Sequence, residues 1–125
     1  MTNRAALELG SNIDPEINIK KAIDILDAEF EILRRSEFIF TEPVGMKNSP
    51  EFLNGAVLIE TKLGYDELKI KLKSIEFSAG RTDSQSGSKN RIIDIDIIAW
   101  NGKIIHKDYD ERDFVRKTID EVLSI

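Results

Sequence analysis

The sequence contains no cysteine and only one histidine, His106, among its 125 residues. Without thiols there is neither a disulfide framework nor a thiolate nucleophile, and one imidazole excludes a metal site built from several histidines. Metal chemistry is therefore restricted to hard cations held by oxygen ligands. The chain also lacks an apolar run long enough to span a membrane, and its first residues do not resemble a secretory signal. We expect a cytoplasmic protein with no membrane partner.

Positive charge is scarce as well, since the net charge is −5. Binding to nucleic acid without sequence specificity requires a basic surface, so a nucleic-acid partner is not expected. Apolar residues make up 41 % and charged residues 33 % of the chain, which is typical of a folded protein. The length suits one unit, and we predict a single domain over residues 1–125.

The periodicity of apolar residues predicts an α+β fold. Strands are predicted at Ala5–Leu9, Ile32–Phe40, Phe52–Thr61 and Ile92–Trp100, and long helices at Pro15–Glu31 and Tyr65–Ala79. Asp14 is the expected N-cap of the first helix, and Asn101-Gly102 is a hairpin turn followed by a short closing helix. This order matches a ferredoxin-like βαββαβ sandwich, in which both helices cover one face of an antiparallel sheet. The other face would be free for a ligand.

Two aspartates alternate with isoleucines in the most strand-like segment of the chain. Strand geometry places Asp94 and Asp96 on the same face, about 7 Å apart. Two like charges beside aliphatic groups need a compensating cation, and Mg²⁺ is commonly held by one or two carboxylates. The pair can also be explained as two solvated acids, or as partners of Arg91 and Lys89. Spacing alone does not decide between these readings.

The segment from Arg81 to Arg91 has no apolar residue and adjoins the aspartates. Such a composition is ordinary for a solvated loop, but its length and its cations also suit a loop that closes over a phosphoryl group. No GxxxxGK[ST] motif occurs anywhere in the sequence, so a P-loop mechanism is excluded.

Six short segments, each weak alone, follow one another in a fixed order. They are Gly10-Ser11-Asn12, Thr41-Glu42-Pro43-Val44-Gly45, Phe52-Leu53-Asn54, Ile75-Glu76, Gly80-Arg81 and Arg91-Ile92-Ile93-Asp94-Ile95-Asp96. Together, over about residues 5 to 105, they resemble the 6-hydroxymethyl-7,8-dihydropterin pyrophosphokinase family. The resemblance implies transfer of pyrophosphate from ATP to the hydroxymethyl group of a reduced pterin, in folate synthesis.

The resemblance also implies a role for each matching residue. Two Mg²⁺ ions would be held by Asp94 and Asp96, and the transferred group would be stabilised by Arg81, Lys89 and Arg91. The residues expected to contact ATP are Glu76, Arg91, Ile97, His106 and Arg112. The residues expected to bind the pterin are Thr41, Pro43, Val44, Phe52, Asn54 and Phe114. Without the resemblance, Phe52 and Asn54 would be interpreted as a buried ring and a turn residue, and His106 as part of the hairpin.

The sequence departs from the family pattern in the loop before the aspartates. Most members carry further arginines and a tryptophan there, where this chain has Asp83, Gly87, Ser88, Lys89 and Asn90. A lysine replaces a bidentate arginine only as a point charge. Two alternatives therefore stay open: a pterin-binding or regulatory relative without turnover, and a ferredoxin-like assembly module without catalysis.

Overall fold

The computed structural model describes residues 1–42, 51–79 and 92–124. Within these ranges the chain forms one antiparallel sheet and four helices. The strands are β1 (Asn3–Ser11), β2 (Glu31–Arg35), β3 (Ile39–Thr41), β4 (Phe52–Thr61), β5 (Asp94–Trp100) and β6 (Lys103–Ile104), and the helices are α1 (Pro15–Glu29), α2 (Tyr65–Ser78), α3 (Asp108–Glu111) and α4 (Asp113–Leu123). The strand order is β2-β4-β1-β5-β6, and β3 also pairs with β4. The predicted fold class is confirmed.

β1 lies at the centre of the sheet. It pairs along its whole length with β4, from Asn3 opposite Thr61 to Ser11 opposite Leu53. On its other side it pairs with β5, with one register shift between Ala6 and Leu7. Because β1 is covered on both faces, it consists largely of apolar and small residues.

The helices α1 and α2 cover one face of the sheet, as predicted. Their apolar positions, such as Ile19, Leu26 and Leu68, pack with Leu7 and Ile95 into the larger of two apolar clusters. α1 begins at Pro15 as expected, but the preceding Asp14 has φ 40° and its side chain makes no capping hydrogen bond. Asp14 is therefore the N-cap residue, as predicted, but its side chain does not bond the first turn of the helix.

The opposite face, predicted to be free, is partly covered by α4. Val115, Ile119 and Val122 pack on small side chains of the sheet, among them Ala6 and Ala56. α4 leaves open the end of the sheet where Asp94, Asn54 and Gly10 lie. No helix among the described residues is long and apolar enough to cross a membrane.

The predicted strand over residues 32–40 is divided into β2 and β3 because Ser36 interrupts the ladder. Its backbone N–H donates to the carbonyl of Ala56, but its Oγ, and not a backbone carbonyl, accepts the N–H of Ala56 at 2.8 Å. A side chain thus replaces one main-chain partner, which periodicity does not reveal. The hairpin was predicted correctly: Asn101 and Gly102 have φ of 50° and 83°, the signs that a two-residue type I′ turn requires.

Gly55 on β4 leaves room for the ring of Phe38, which lies over it. A Cβ at residue 55 would be 2.4 Å from the ring atoms of Phe38, so the ring would have to move. We expect Gly55→Ala to lower the free energy of unfolding by about 1–3 kcal/mol, the usual effect of overpacking. Urea denaturation at constant pH measures this change.

The control is the same substitution in a Phe38→Ala background, where the obstructing ring is absent. There we expect Gly55→Ala to change stability by less than about 0.5 kcal/mol, since the effect belongs to the pair. Equal losses in both backgrounds would contradict the steric explanation.

Candidate active site

Three neighbouring strands form the floor of a cleft on the face that α4 leaves open. The register places Asn54 of β4, Gly10 of β1 and Asp94 of β5 side by side. Glu8 of β1 lies opposite Asp96 in the parallel row next to it. Asp94 and Asp96 therefore share one face, while Ile93, Ile95 and Ile97 are buried on the other, in the apolar cluster beneath α1 and α2.

This first cleft has a volume of about 240 Å³. Four residues predicted to bind the pterin line it, namely Thr41, Phe52, Asn54 and Phe114. Pro43 and Val44, predicted for the same role, lie outside the described residues. The cleft thus collects side chains that are far apart in the sequence, from β3, β4 and α4.

Asn54 has little freedom in this cleft. Its amide Nδ2 donates to Thr41 Oγ1 at 2.5 Å, and its side chain is largely buried. A Cβ on Gly10 would come within 2.7 Å of Asn54 Oδ1, so the absence of a side chain at residue 10 makes room for the amide. The contact explains why residue 10, in the Gly10-Ser11-Asn12 segment, is a glycine. Asn54 is held in one position and presents a polar group beside the ring of Phe52.

A second cleft, of about 580 Å³, lies between α2 and β5. Asp94 and Asp96 line it too, so the aspartates stand at the border between the two clefts. Three residues predicted to contact ATP, Glu76, Ile97 and His106, also line the second cleft. Arg112, predicted for the same role, instead lines the first cleft, where its Nε is 4.0 Å from Asp108 Oδ1. Arg81, Lys89 and Arg91 lie outside the described residues.

Two lysines of α2, Lys69 and Lys73, add positive charge to the second cleft. They are one helical turn apart and therefore project from the same side of α2. Lys71, between them, points elsewhere and forms an ion pair with Glu29 at 3.1 Å. The sequence indicated a concentration of cations in this region, but only the fold separates the lysines that reach the cleft from the one that does not.

His106 is oriented by its neighbour Asp108. The backbone N–H of Asp108 donates to His106 Nδ1 at 3.1 Å, which in a neutral ring leaves the hydrogen on Nε2. Nε2–H is then a hydrogen-bond donor. The side chains of Asp96, His106 and Asp108 have ligand atoms within 4.8 Å of one another, so a cation near Asp96 would also be close to this group.

Glu8 is a cleft residue that the sequence prediction missed. Only 7 % of it is exposed, its Oε1 lies 2.6 Å from Thr118 Oγ1, and its buried Oε2 has no hydrogen-bond partner among the described residues. Burial, reinforced by the charges of Asp96 and Asp108 and opposed by the Thr118 hydrogen bond, raises the pKa of Glu8 to about 9. Glu8 is therefore protonated at neutral pH. The available signal was an acid within the apolar run Ala5–Leu9.

The first cleft is strongly acidic even with Glu8 neutral. Glu42, Asp94, Asp96 and Asp108 line it, and Arg112 is the single cation among its described lining residues. An anionic ligand would be repelled from this cleft unless a cation accompanied it. A flat, uncharged ring between Phe52 and Phe114 would be accepted.

Comparison with known proteins identifies relatives of this arrangement. The family model described as 7,8-dihydro-6-hydroxymethylpterin-pyrophosphokinase matches residues 6–124. The Folate synthesis bifunctional protein, mitochondrial, of Pisum sativum is 38 % identical over 96 residues, which cover 75 % of this chain and 18 % of the pea protein. The 2-amino-4-hydroxy-6-hydroxymethyldihydropteridine pyrophosphokinase of Bacillus subtilis is 36 % identical over 104 residues, covering 81 % of this chain and 62 % of that protein.

A protein of the same name from Aquifex aeolicus is 33 % identical, and the alignment covers 86 % of this chain and 72 % of the relative. Among solved structures, an HPPK-DHPS protein of Plasmodium falciparum superposes with a TM-score of 0.63 at 16 % identity, over 98 % of this chain and 37 % of that one. This last likeness establishes the fold. The chain spans less than two thirds of the pea and Bacillus proteins.

The raised pKa of Glu8 predicts a pH-dependent loss of stability. In the unfolded chain Glu8 ionises near its ordinary value of 4.5, whereas in the folded protein it stays protonated up to about pH 9. Between these values the unfolded state binds fewer protons, so the free energy of unfolding falls as pH rises, by up to about 1.4 kcal/mol per pH unit. Glu8→Gln removes this contribution.

We therefore expect the stability of Glu8→Gln relative to wild type to increase steadily from pH 5 to pH 9, in urea denaturation without magnesium. Glu31→Gln, at an exposed glutamate of β2, serves as the control and should keep the wild-type slope. A constant difference between Glu8→Gln and wild type across this range would show that Glu8 is ionised in the folded protein.

Proposed function

We propose, from the premise that this chain belongs to the 7,8-dihydro-6-hydroxymethylpterin-pyrophosphokinase family, that it transfers pyrophosphate from ATP to 6-hydroxymethyl-7,8-dihydropterin in folate synthesis. The observation that carries the proposal is the position of Asp94 and Asp96, which border both clefts. One cleft contains the side chains suited to the pterin and the other those suited to the nucleotide. The reacting groups would then meet at the aspartates.

In the proposed reaction the hydroxymethyl oxygen of the pterin forms a bond to the β-phosphorus of ATP. The bond between that phosphorus and the oxygen bridging to the α-phosphate breaks, the hydroxyl proton is released, and AMP leaves. The chain contributes mainly by placing the two substrates, since phosphoryl transfer depends on positioning and on stabilisation of charge. Phe52 and Phe114 would hold the ring, and Asn54, fixed by Thr41, would hydrogen-bond its edge.

The donor set fits magnesium. Asp94 and Asp96 supply hard oxygen ligands in a cleft with an excess of acids, and His106 and Asp108 are near enough to contact water on a bound cation. Magnesium, when bound there, would neutralise the charge of the phosphates. We propose that two magnesium ions bind at this site and that Asp94 and Asp96 hold both of them.

On the nucleotide side, Glu76 and Ile97 would form the wall of the second cleft, and His106 would donate Nε2–H to the nucleotide. Arg112, which lines the first cleft, would contact ATP at the group that is transferred to the pterin. We further propose that Arg81, Lys89 and Arg91 stabilise the transferred group and that Pro43 and Val44 contact the pterin. Residues 1–125 would form one domain, and the protein would be cytoplasmic.

AMP release in the presence of ATP, magnesium and the reduced pterin tests the proposal directly. AMP formed in proportion to the added pterin supports it. Pterin binding by calorimetry without AMP release, at enzyme concentrations near that of the substrate, would instead favour the pterin-binding relative without turnover. Binding of neither pterin nor nucleotide would favour an assembly module.

Substitution of one aspartate gives the most direct test of the proposed metal site. We expect Asp96→Asn to lower kcat by about 100-fold or more, as loss of a group that stabilises transition-state charge generally does. It should also weaken the magnesium-dependent binding of a non-hydrolysable ATP analogue, measured by calorimetry. Asp24→Asn, at an exposed aspartate of α1 paired with Lys20, is the matched control. Comparable activity of Asp96→Asn and Asp24→Asn would refute the metal role.

The lysines of α2 provide a second test, because only two of the three face the nucleotide cleft. We expect the double variant Lys69→Ala, Lys73→Ala to raise KM for ATP by roughly 3- to 20-fold, with kcat changed less. Lys71→Ala, on the same helix, should leave KM unchanged. The difference should shrink at high ionic strength because salt screens exposed charges. A larger effect from Lys71→Ala would contradict the assignment of the cleft.

A further inference from the structure

α4 is attached to the sheet mostly by apolar contacts. Val115, Ile119 and Val122 share an apolar cluster with small side chains of the sheet, such as Ala6 and Ala56, and with larger ones, such as Leu58 and Ile98. Apolar contact is non-directional, so these contacts fix the rotation of the helix less sharply than a hydrogen bond does. Something more specific is needed if side chains on α4 are to be placed accurately.

A buried polar pair supplies this specificity. Glu8 Oε1 of β1 and Thr118 Oγ1 of α4 are 2.6 Å apart, and Glu8 and Thr118 are 7 % and 1 % exposed. A short hydrogen bond between buried groups is directional, and breaking it would leave polar atoms unsatisfied away from water. α4 has other side-chain hydrogen bonds to the rest of the chain, and all of those described are exposed: the backbone N–H of Glu37 donates to Glu121 Oε2, the Tyr109 hydroxyl to Asp120 Oδ1, and the Arg116 guanidinium to the carbonyl of Asp110. The Glu8–Thr118 pair therefore fixes α4 along its axis and in rotation.

The position of α4 matters because its first turn forms a wall of the first cleft. Phe114 and Val115 line that cleft, as does Glu8. Thr118 Oγ1 is 3.0 Å from the carbonyl oxygen of Phe114, one helical turn earlier. The hydroxyl of Thr118 donates its one hydrogen to Glu8 Oε1, and its oxygen also lies within hydrogen-bond distance of that carbonyl, so the hydrogen is shared between the two acceptors. Glu8, Thr118 and Phe114 then form one connected chain.

We propose that Glu8 and Thr118 are positioning residues, which hold Phe114 over the first cleft so that its ring stacks on the bound pterin. The inference rests on the proposed function, because it explains how a residue of the proposed pterin site, Phe114, is held in position. Neither Glu8 nor Thr118 needs to touch the ligand. A small rotation of α4 at Thr118 would move Phe114, about 6 Å along the same helix, away from the ring it should cover.

The test compares Thr118→Val, which keeps the shape of the side chain and removes the hydroxyl, with Thr118→Ser, which retains it. The readout is the Kd of the reduced pterin, measured by calorimetry with magnesium and a non-hydrolysable ATP analogue present. We expect Thr118→Val to raise this Kd by about 10-fold, the equivalent of one well-formed hydrogen bond. Thr118→Ser and Glu8→Gln, which can still bond, should stay within about 2-fold of wild type. The Kd of the nucleotide analogue alone should not change in any of them.

Thr118→Val leaves Glu8 buried without its partner and so can destabilise the fold. The double variant Glu8→Leu, Thr118→Val removes both polar groups and leaves neither unsatisfied, so it should be more stable than Thr118→Val. If the pair only stabilises the protein, the double variant will bind pterin like wild type, and positioning is overturned. If the pair positions Phe114, the pterin Kd will stay raised in the stable double variant.

Amide hydrogen exchange in the ligand-free protein gives a readout that does not depend on pterin binding. Exchange at residues 114–118 should be faster in Thr118→Val than in Thr118→Ser, and exchange in β1 should be the same in both. Unchanged exchange at residues 114–118 would overturn the inference even if the proposed function holds. A third outcome is the expected exchange pattern in a wild-type protein that does not bind pterin. This result would refute the proposed function and the stacking of Phe114 on a pterin, but it would show that Glu8 and Thr118 align α4.

Discussion

The antiparallel pairing of β1 with β4 on one side and β5 on the other is the constraint on which the site depends. This register brings Asn54, Gly10 and Asp94 into one row and Glu8 and Asp96 into the next. A slip of one residue in either pairing would turn the site residues of the displaced strand, Asn54 on β4 or Asp94 and Asp96 on β5, toward α1 and α2. The slip is opposed by the apolar residues of the same strands, which must remain on the helix-covered face. The packing of apolar residues in the core therefore sets the register of the strands, and the register sets the positions of the polar residues in the site.

The two clefts differ in charge, and under the proposed function this difference would allow one site to bind two dissimilar substrates. The first is acidic and contains aromatic rings, so it accepts a flat neutral ring and repels an anion that lacks a cation. The second contains Lys69, Lys73 and His106 opposite the aspartates, which suits a phosphate chain carrying magnesium. The neutral state of Glu8 belongs to the same pattern, because another negative charge opposite Asp96 would oppose both the fold and the ligand.

Much of the fold and the placement of the aspartate pair follow from local patterns in the sequence, whereas the other expected site residues came from the family resemblance. Period-two alternation was sufficient to place Asp94 and Asp96 on one face, and helical periodicity gave α1 and α2 within a few residues. The break at Ser36 was not predictable, since it depends on a side chain taking the place of a backbone acceptor from another strand. The partnership of Glu8 with Thr118, 110 residues later, and the side of the sheet on which Arg112 lies depend on how α4 docks. The position of α4 depends on how well its surface fits the surface of the sheet. These two surfaces are far apart in the sequence, so a local sequence pattern cannot predict how they fit.

The second cleft exists because the outer edge of β5 is left open beside α2. β6 pairs with β5 only at Ala99 and Trp100, so the part of the strand that carries the aspartates has no outer neighbour among the described strands. An open edge can pair with another strand, and such a strand would fill the second cleft. Glu76 prevents this locally, because its buried carboxylate accepts the N–H of Ile95 at 2.8 Å. The side chain of Glu76, from α2, thus takes the place of a neighbouring strand. Glu76 is also one of the residues expected to contact ATP, and by blocking strand pairing it keeps open the space that ATP would need.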